Sequence, residues 1–220
     1  MKISIIIPTY NHCDLLKQCC ESLIKYTDFE DKEVIIVSNG STDNTREYIE
    51  SLGSPFKLLR FDAPLGYARA TNEGLKVANG DYIIFLNNDV ILLPQVNDDW
   101  VNMLIEPFKN EKVGITGPLK GPHFTINNEY HISFFCAMTK REVIEKIGLI
   151  DEVFEIGGCE DVDFCMKATS FGYKLIRVPD EFSNFPIYHA GGSTLHEVIT
   201  PEVANKNFKI VIERYQTKWY

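Results

Sequence analysis

Apolar residues in the first ninety positions come as short continuous runs, separated by stretches with helical spacing. Residues 3–7 are apolar apart from Ser4, and Pro8 is expected to end that strand. Residues 14–26 place Leu15, Leu16, Cys19, Leu23 and Ile24 on one helical stripe. A second apolar run at 34–37 closes on the turn-forming Ser38-Asn39-Gly40-Ser41. Thr42 or Asp43 caps a helix reaching about residue 52. Residues 56–61 read as a strand, 66–78 as a helix ending near Gly80, and 82–86 as a fourth strand bounded by Asn87-Asn88-Asp89. Strands that are apolar throughout must be covered on both faces. The pattern therefore predicts an α/β fold with a mostly parallel central sheet flanked by helices.

The second half is less regular. Helices are expected over 98–109, 140–147, 160–171 and 202–218, and strands over 113–116, 132–138, 173–178 and 185–189. A loop with two prolines, containing His123 and Phe124, fills 117–131. No repeat, low-complexity stretch or linker interrupts the pattern, so residues 1–220 read as a single domain. Its first half is 1–90 and its second 91–220.

Composition narrows the partners. The chain has 22 Lys+Arg against 31 Asp+Glu, a formal charge of −9. Nucleic acid calls for a basic face and is excluded as the main partner. No apolar run reaches the roughly 20 residues that span a bilayer, and the opening ten residues lack the features of a signal peptide. Six cysteines without a CxxC pair fit reduced thiols. The expectation is a cytoplasmic chain. The last helix carries Lys206, Lys209, Arg214 and Lys218 with Trp219 and Tyr220 beyond, a face that would suit peripheral contact with an anionic membrane or simply solvent.

In an open α/β sheet, ligands bind at the carboxyl ends of the strands. Here those ends carry Pro8-Thr9-Tyr10-Asn11, Ser38-Asn39-Gly40-Ser41 and Asn87-Asn88-Asp89. Any one of them would serve as a turn; three together point to a site. At this point the chain resembles the family 2 glycosyltransferases of the GT-A fold. The segments that carry the resemblance are SIIIPTYN (4–11), VIIVSNGSTDNT (34–45), GYARATNEGL (66–75), DYIIFLNNDV (81–90), the 148–175 stretch containing EDVDFC, and IYHAGGS (187–193).

That resemblance implies an inverting hexosyl transfer from a nucleoside-diphosphate sugar to an acceptor hydroxyl, and a single GT-A domain with a donor half and an acceptor half. It puts Pro8, Thr9, Tyr10 and Asn39 against the nucleotide. Gly66, Arg69, Asn72 and Asn88 would complete that side, although Arg69 also reads as a solvated helix residue. The chain departs from the family in having Ser38-Asn39 where an Asp is usual. It also has Asn88-Asp89 at the DxD-type position.

Asp89, with His189 as second ligand, would hold Mn²⁺ or Mg²⁺. Asp161 is implied as general base, with Glu160 positioning the acceptor, and Asp163 reads as part of a helix-start charge cluster. Carboxylates at Asp89, Glu160 and Asp161 facing an anionic diphosphate are compatible only with an intervening divalent cation. The donor would be UDP-, dTDP- or GDP-linked, and EDVDFC, similar to the rhamnosyltransferase subgroup, favours the first two. The acceptor would be a glycan, a lipid-linked sugar or a protein. Two alternatives are a non-catalytic nucleotide or carbohydrate module and a sugar-nucleotide pyrophosphorylase. The latter needs a Gly-rich cationic loop after the first strand, which is absent here. The missing G-x-G-x-x-G argues against a dinucleotide oxidoreductase.

Overall fold

The computed structural model describes residues 1–118, 125–126, 129–179, 185–191 and 199–215. In its first half, β1 (Ile3–Thr9), β2 (Lys32–Asn39), β3 (Phe56–Phe61) and β4 (Tyr82–Leu86) alternate with α1 (Cys13–Tyr26), α2 (Thr45–Leu52) and α3 (Tyr67–Val77). Next come β5 (Val90–Leu92), α4 (Asp99–Ile105), β6 (Val113–Gly117) and a small hairpin of β7 (Thr125–Ile126) and β8 (Glu129–Tyr130). The remaining elements are β9 (Cys136–Lys140), α5 (Arg141–Ile147), α6 (Glu160–Ser170), β10 (Lys174–Arg177), β11 (Ile187–His189) and α7 (Pro201–Tyr215). Seven strands form one sheet in the order β10-β6-β9-β4-β1-β2-β3. Its pairs are parallel except where β9 runs against β4 and β6.

Both faces of this sheet are covered, as continuous apolar strands require. Ile6, Ile35, Val37 and Phe85 pack under α3 and α6, while Ile3, Ile5, Ile7 and Ile36 pack under α1 and α4. Beneath the α6 side, Phe134 stacks on Phe85 with ring centroids 4.4 Å apart, and Phe164 of α6 meets both edge-on. That aromatic cluster ties α6 to the end of β4. No helix among the described residues is long and apolar enough to cross a membrane.

Several elements differ from the sequence pattern. Pro8 does not end β1 but pairs in register with Val37 of β2; the pairing with β4 has already stopped at Ile6, which leaves room for a residue without an N–H. The α1 stripe is rotated: Ile24 is 51% exposed while Cys13 and Cys20 are buried. The apolar run 132–138 is a strand only from Cys136, because Ile132, Phe134 and Phe135 leave the ladder to fill the cores on the two faces. β11 falls within the strand expected over 185–189, but its antiparallel partner β5, and the second, two-stranded sheet they form, are not announced by periodicity. His123, Phe124, Lys218, Trp219 and Tyr220 lie outside the described residues.

Candidate active site

The carboxyl ends of β1, β2 and β4 meet over a cavity of about 620 Å³. Pro8, Thr9 and Tyr10 line it from β1, Asn39 from β2, and Asn88 and Asp89 from β4. The Asn88 side-chain amide donates to Thr9 Oγ1 at 2.9 Å, locking two strand ends together. Asn39 is held just as firmly. Its Oδ1 accepts the Leu65 N–H at 2.6 Å and its Nδ2 donates to the Gly66 carbonyl at 3.4 Å. The Asn39 amide therefore braces the 64–66 loop that forms the next wall of the cavity.

Gly66 sits where that loop touches the second half of the chain. Its φ is +84°, and a Cβ there would lie 2.0 Å from the Glu155 carbonyl oxygen. Backbone cannot yield that much, so Gly66→Ala should push the two walls apart. The expected result is about a tenfold loss of ligand affinity at the cavity, together with a lower melting temperature. Calorimetry and thermal denaturation of the variant check it; unchanged values for both would show that the contact is immaterial.

Asp89 and His189 come together through topology. β11 pairs antiparallel with β5 so that His189 stands opposite Val90, and the Ala190 N–H donates to the Asp89 carbonyl at 3.1 Å. β5 is itself pinned to α1 by the Leu92 N–H donating to Ser22 Oγ at 3.0 Å. The His189 ring stacks on Phe135 at 4.5 Å, and its Nε2 lies 3.1 Å from Asp89 Oδ1. Both side chains are largely shielded, and both line the cavity.

The opposite wall is the start of α6. Gly157, Gly158 and Cys159 all have positive φ, a tight turn that delivers Glu160 and Asp161 to the cavity. The buried Asn207 of α7 clamps this turn, its Nδ2 facing the carbonyls of Phe154, Gly157 and Gly158 at 3.3, 2.9 and 3.1 Å. Asp163 is no solvated charge. It is fully buried and joins α6 to α7 through Arg214 at 2.7 Å and the Tyr215 hydroxyl at 2.9 Å, with Lys167 at 2.9 Å.

The two acids at the cavity differ. Asp161 accepts the Val162 N–H at 2.8 Å, and its Oδ2 lies 4.0 Å from His131 Nε2. Glu160 is buried, and its Oε2 meets no hydrogen-bond partner among the described residues. Burial, reinforced by the neighbouring Asp161 carboxylate, pushes the Glu160 carboxyl up to about 8, so at neutral pH it carries a proton.

Ten of the twelve residues singled out in the sequence thus line one cavity: Pro8, Thr9, Tyr10, Asn39, Gly66, Asn88, Asp89, Glu160, Asp161 and His189. Arg69 and Asn72 do not. Asn72 is turned into the protein, where its amide bonds both the N–H and the C=O of Ile150 and reaches Glu152. Arg69 is more than half exposed and faces Glu152 at 3.9 Å. Tyr67, His131, Phe134 and Phe135 line the cavity without having been anticipated. The described lining contains no Lys or Arg, and among the described residues no three His, Cys, Asp or Glu gather as a metal cluster.

Known proteins share both the sequence and the fold. The chain is 27% identical over 213 residues to the O-antigen biosynthesis protein RfbC of Myxococcus xanthus, covering 80% of this chain and 16% of that one. It is 34% identical over 119 residues to the poly-beta-1,6-N-acetyl-D-glucosamine synthase of Staphylococcus epidermidis, covering 52% and 28%. The chain thus spans less than a third of the length of these relatives.

Among solved structures, S. aureus TarS 1-349 in complex with UDP-GlcNAc superposes with a TM-score of 0.73 at 19% identity, over all of this chain and 68% of that one. The mannosyltransferase PcManGT from Pyrobaculum calidifontis, in complex with GDP-Man and Mn²⁺, gives 0.69 at 22% identity, over 81% and 55%. These likenesses establish a GT-A fold. The family model described as "Glycosyl transferase family 2" matches residues 4–131, more than half of the chain, and the chain belongs to that family.

Proposed function

We propose that this chain is a glycosyltransferase domain that moves a hexosyl group from a nucleoside-diphosphate sugar to an acceptor hydroxyl with inversion. One observation carries the reading: a single cavity joins the Asp89–His189 pair at the strand ends to the Glu160–Asp161 pair at the start of α6. The nucleotide lies along Pro8, Thr9, Tyr10 and Asn88, with Asn39 and Gly66 shaping the wall beside it. Arg69 and Asn72 have no part in binding. UDP-, dTDP- and GDP-linked hexoses are the donors to test, and the acceptor is the hydroxyl of a glycan, a lipid-linked sugar or a protein. A cytoplasmic location goes with this reading.

The acceptor enters against Glu160 and Asp161. Asp161 takes the proton from the acceptor hydroxyl as its oxygen bonds to the anomeric carbon. The bond from that carbon to the diphosphate oxygen breaks, and its electron pair leaves with the diphosphate. Attack from the face opposite the leaving group inverts the anomeric centre. Protonated Glu160 donates a hydrogen bond and orients the acceptor.

Asp89 and His189 fit a divalent ion such as Mn²⁺ or Mg²⁺. They offer one oxygen and one nitrogen 3.1 Å apart on a largely shielded wall, and two protein ligands leave positions for a diphosphate and water. When bound, such an ion neutralises charge on the departing diphosphate. A complex of PcManGT with GDP-Man and Mn²⁺ is consistent with this assignment.

Calorimetry with UDP, dTDP and GDP tests the binding half of the proposal. With Mn²⁺, one of them should bind at least about tenfold more tightly than in EDTA. Asp89→Ala should erase that difference. Equal affinity with and without metal would remove the metal role, and no binding of any of the three would remove the nucleotide reading.

A further inference from the structure

We infer that His131 is a positioning residue for Asp161, holding the carboxylate in line with the incoming acceptor hydroxyl. The inference deepens the proposed function and rests on Asp161 being the base. His131 lies in no motif, and its chain position gives no hint of the contact. Yet its Nε2 stands 4.0 Å from Asp161 Oδ2, and both residues line the cavity with side chains only 16% exposed.

The backbone on either side of His131 is fastened. The Tyr130 hydroxyl donates to the Leu175 carbonyl at 2.6 Å, and the Arg177 guanidinium lies over the Tyr130 ring at 3.7 Å from its centroid. On the other side, the Ile132 N–H donates to Cys165 Sγ at 3.3 Å, and the Cys165 thiol faces the Ile132 carbonyl at 3.6 Å. Cys165 is four residues beyond Asp161, on the same face of α6. The helix that presents Asp161 therefore also grips the segment that presents His131. Their separation is set by a direct link between the two.

One carboxylate oxygen of Asp161 is already occupied by the Val162 N–H. The other faces His131 Nε2 across 4.0 Å, a gap that a small movement on acceptor binding would close, letting the imidazole hold the carboxylate. Contacts of this kind are often long in the ligand-free state and tighten when substrate closes the site. A misplaced base costs rate without costing donor affinity.

The experiment measures nucleotide release from whichever UDP-, dTDP- or GDP-hexose the protein turns over fastest. The variants are His131→Gln, His131→Asn, His131→Ala and Asp161→Asn. A Gln amide nitrogen reproduces the position of Nε2, whereas Asn reproduces Nδ1. His131→Gln should stay within about threefold of wild type, while His131→Asn and His131→Ala lose about tenfold in kcat with unchanged donor KM and unchanged melting temperature.

Wild-type kcat in all three His131 variants, with Asp161→Asn inactive, overturns the inference and leaves Asp161 as base. Equal loss in all three with a matching fall in melting temperature also overturns it, since His131 is then a packing residue. Full turnover by Asp161→Asn removes the base assignment, and the inference with it.

Discussion

Asp161→Asn should lower transfer by about 10²–10⁴-fold, the range a positioned general base contributes, while nucleoside-diphosphate affinity stays at the wild-type value. Asn keeps the shape of the side chain and can still accept the Val162 N–H that orients Asp161. It cannot take a proton. The variant therefore separates chemistry from structure, because α6 remains anchored elsewhere. Asp163, two residues beyond Asp161 and outside the cavity lining, still joins Arg214 and the Tyr215 hydroxyl of α7, and Asn207 still clamps the glycine turn. Initial rates and calorimetric affinity on the same preparation decide the matter. Transfer within tenfold of wild type would take the base role away from Asp161. A parallel loss of nucleotide affinity would show that the substitution disturbed the cavity as a whole.

The first half of the fold was legible because its signals are local. β3 and β4 begin and end where the apolar runs do, and the polar residues after β1, β2 and β4 meet at one edge because parallel strands bring their carboxyl ends together. What periodicity could not supply was long-range pairing. Asp89 and His189 are one hundred positions apart, and their contact depends on β11, which falls in the expected 185–189 strand, pairing with β5, a three-residue strand too short to leave a pattern. A resemblance to known sequences suggested that pair where spacing alone could not.

Side-chain direction was equally hidden. Asn72 and Arg69 both stand in the first turns of α3 beside the cavity, yet Asn72 points at Ile150 and Arg69 at solvent and Glu152. The run from Ile132 to Met138 reads as one strand by composition, but Phe134 and Phe135 are drawn out of it by the cores on opposite faces of the sheet. The same departure from the ladder leaves His131 and Ser133 on the cavity wall. A strand pattern cannot foresee this, since it assigns faces only while the pairing lasts.

Glu160→Gln should flatten the pH dependence of stability and make the variant more stable than wild type in mild alkali. Burial first, and the Asp161 charge second, raise the Glu160 carboxyl from an ordinary 4.5 to about 8 in the folded protein. The sign follows from proton counting. Between these two values the folded chain holds a proton that the unfolded chain has released, so unfolding releases a proton and stability falls as pH rises. The contribution is fully present below about 4.5, is lost progressively up to about 8 and is constant beyond it. Each unit of that window is worth about 1.4 kcal/mol, so the loss across it is several kcal/mol, or on the order of 10 °C in melting temperature for a chain of this size. Gln has no proton to release and is uncharged throughout. The difference in melting temperature between Glu160→Gln and wild type should therefore grow steadily from about pH 5 to pH 8, in favour of the variant. A constant difference over that range would show that Glu160 ionises in the folded state as it does in the unfolded one. A buried acid with one oxygen lacking a hydrogen-bond partner among the described residues, which weakens the fold at working pH, is what a binding surface retains for its ligand. The same variant, still able to donate a hydrogen bond from its amide, should keep acceptor turnover close to wild type at pH 7, whereas Glu160→Ala should not.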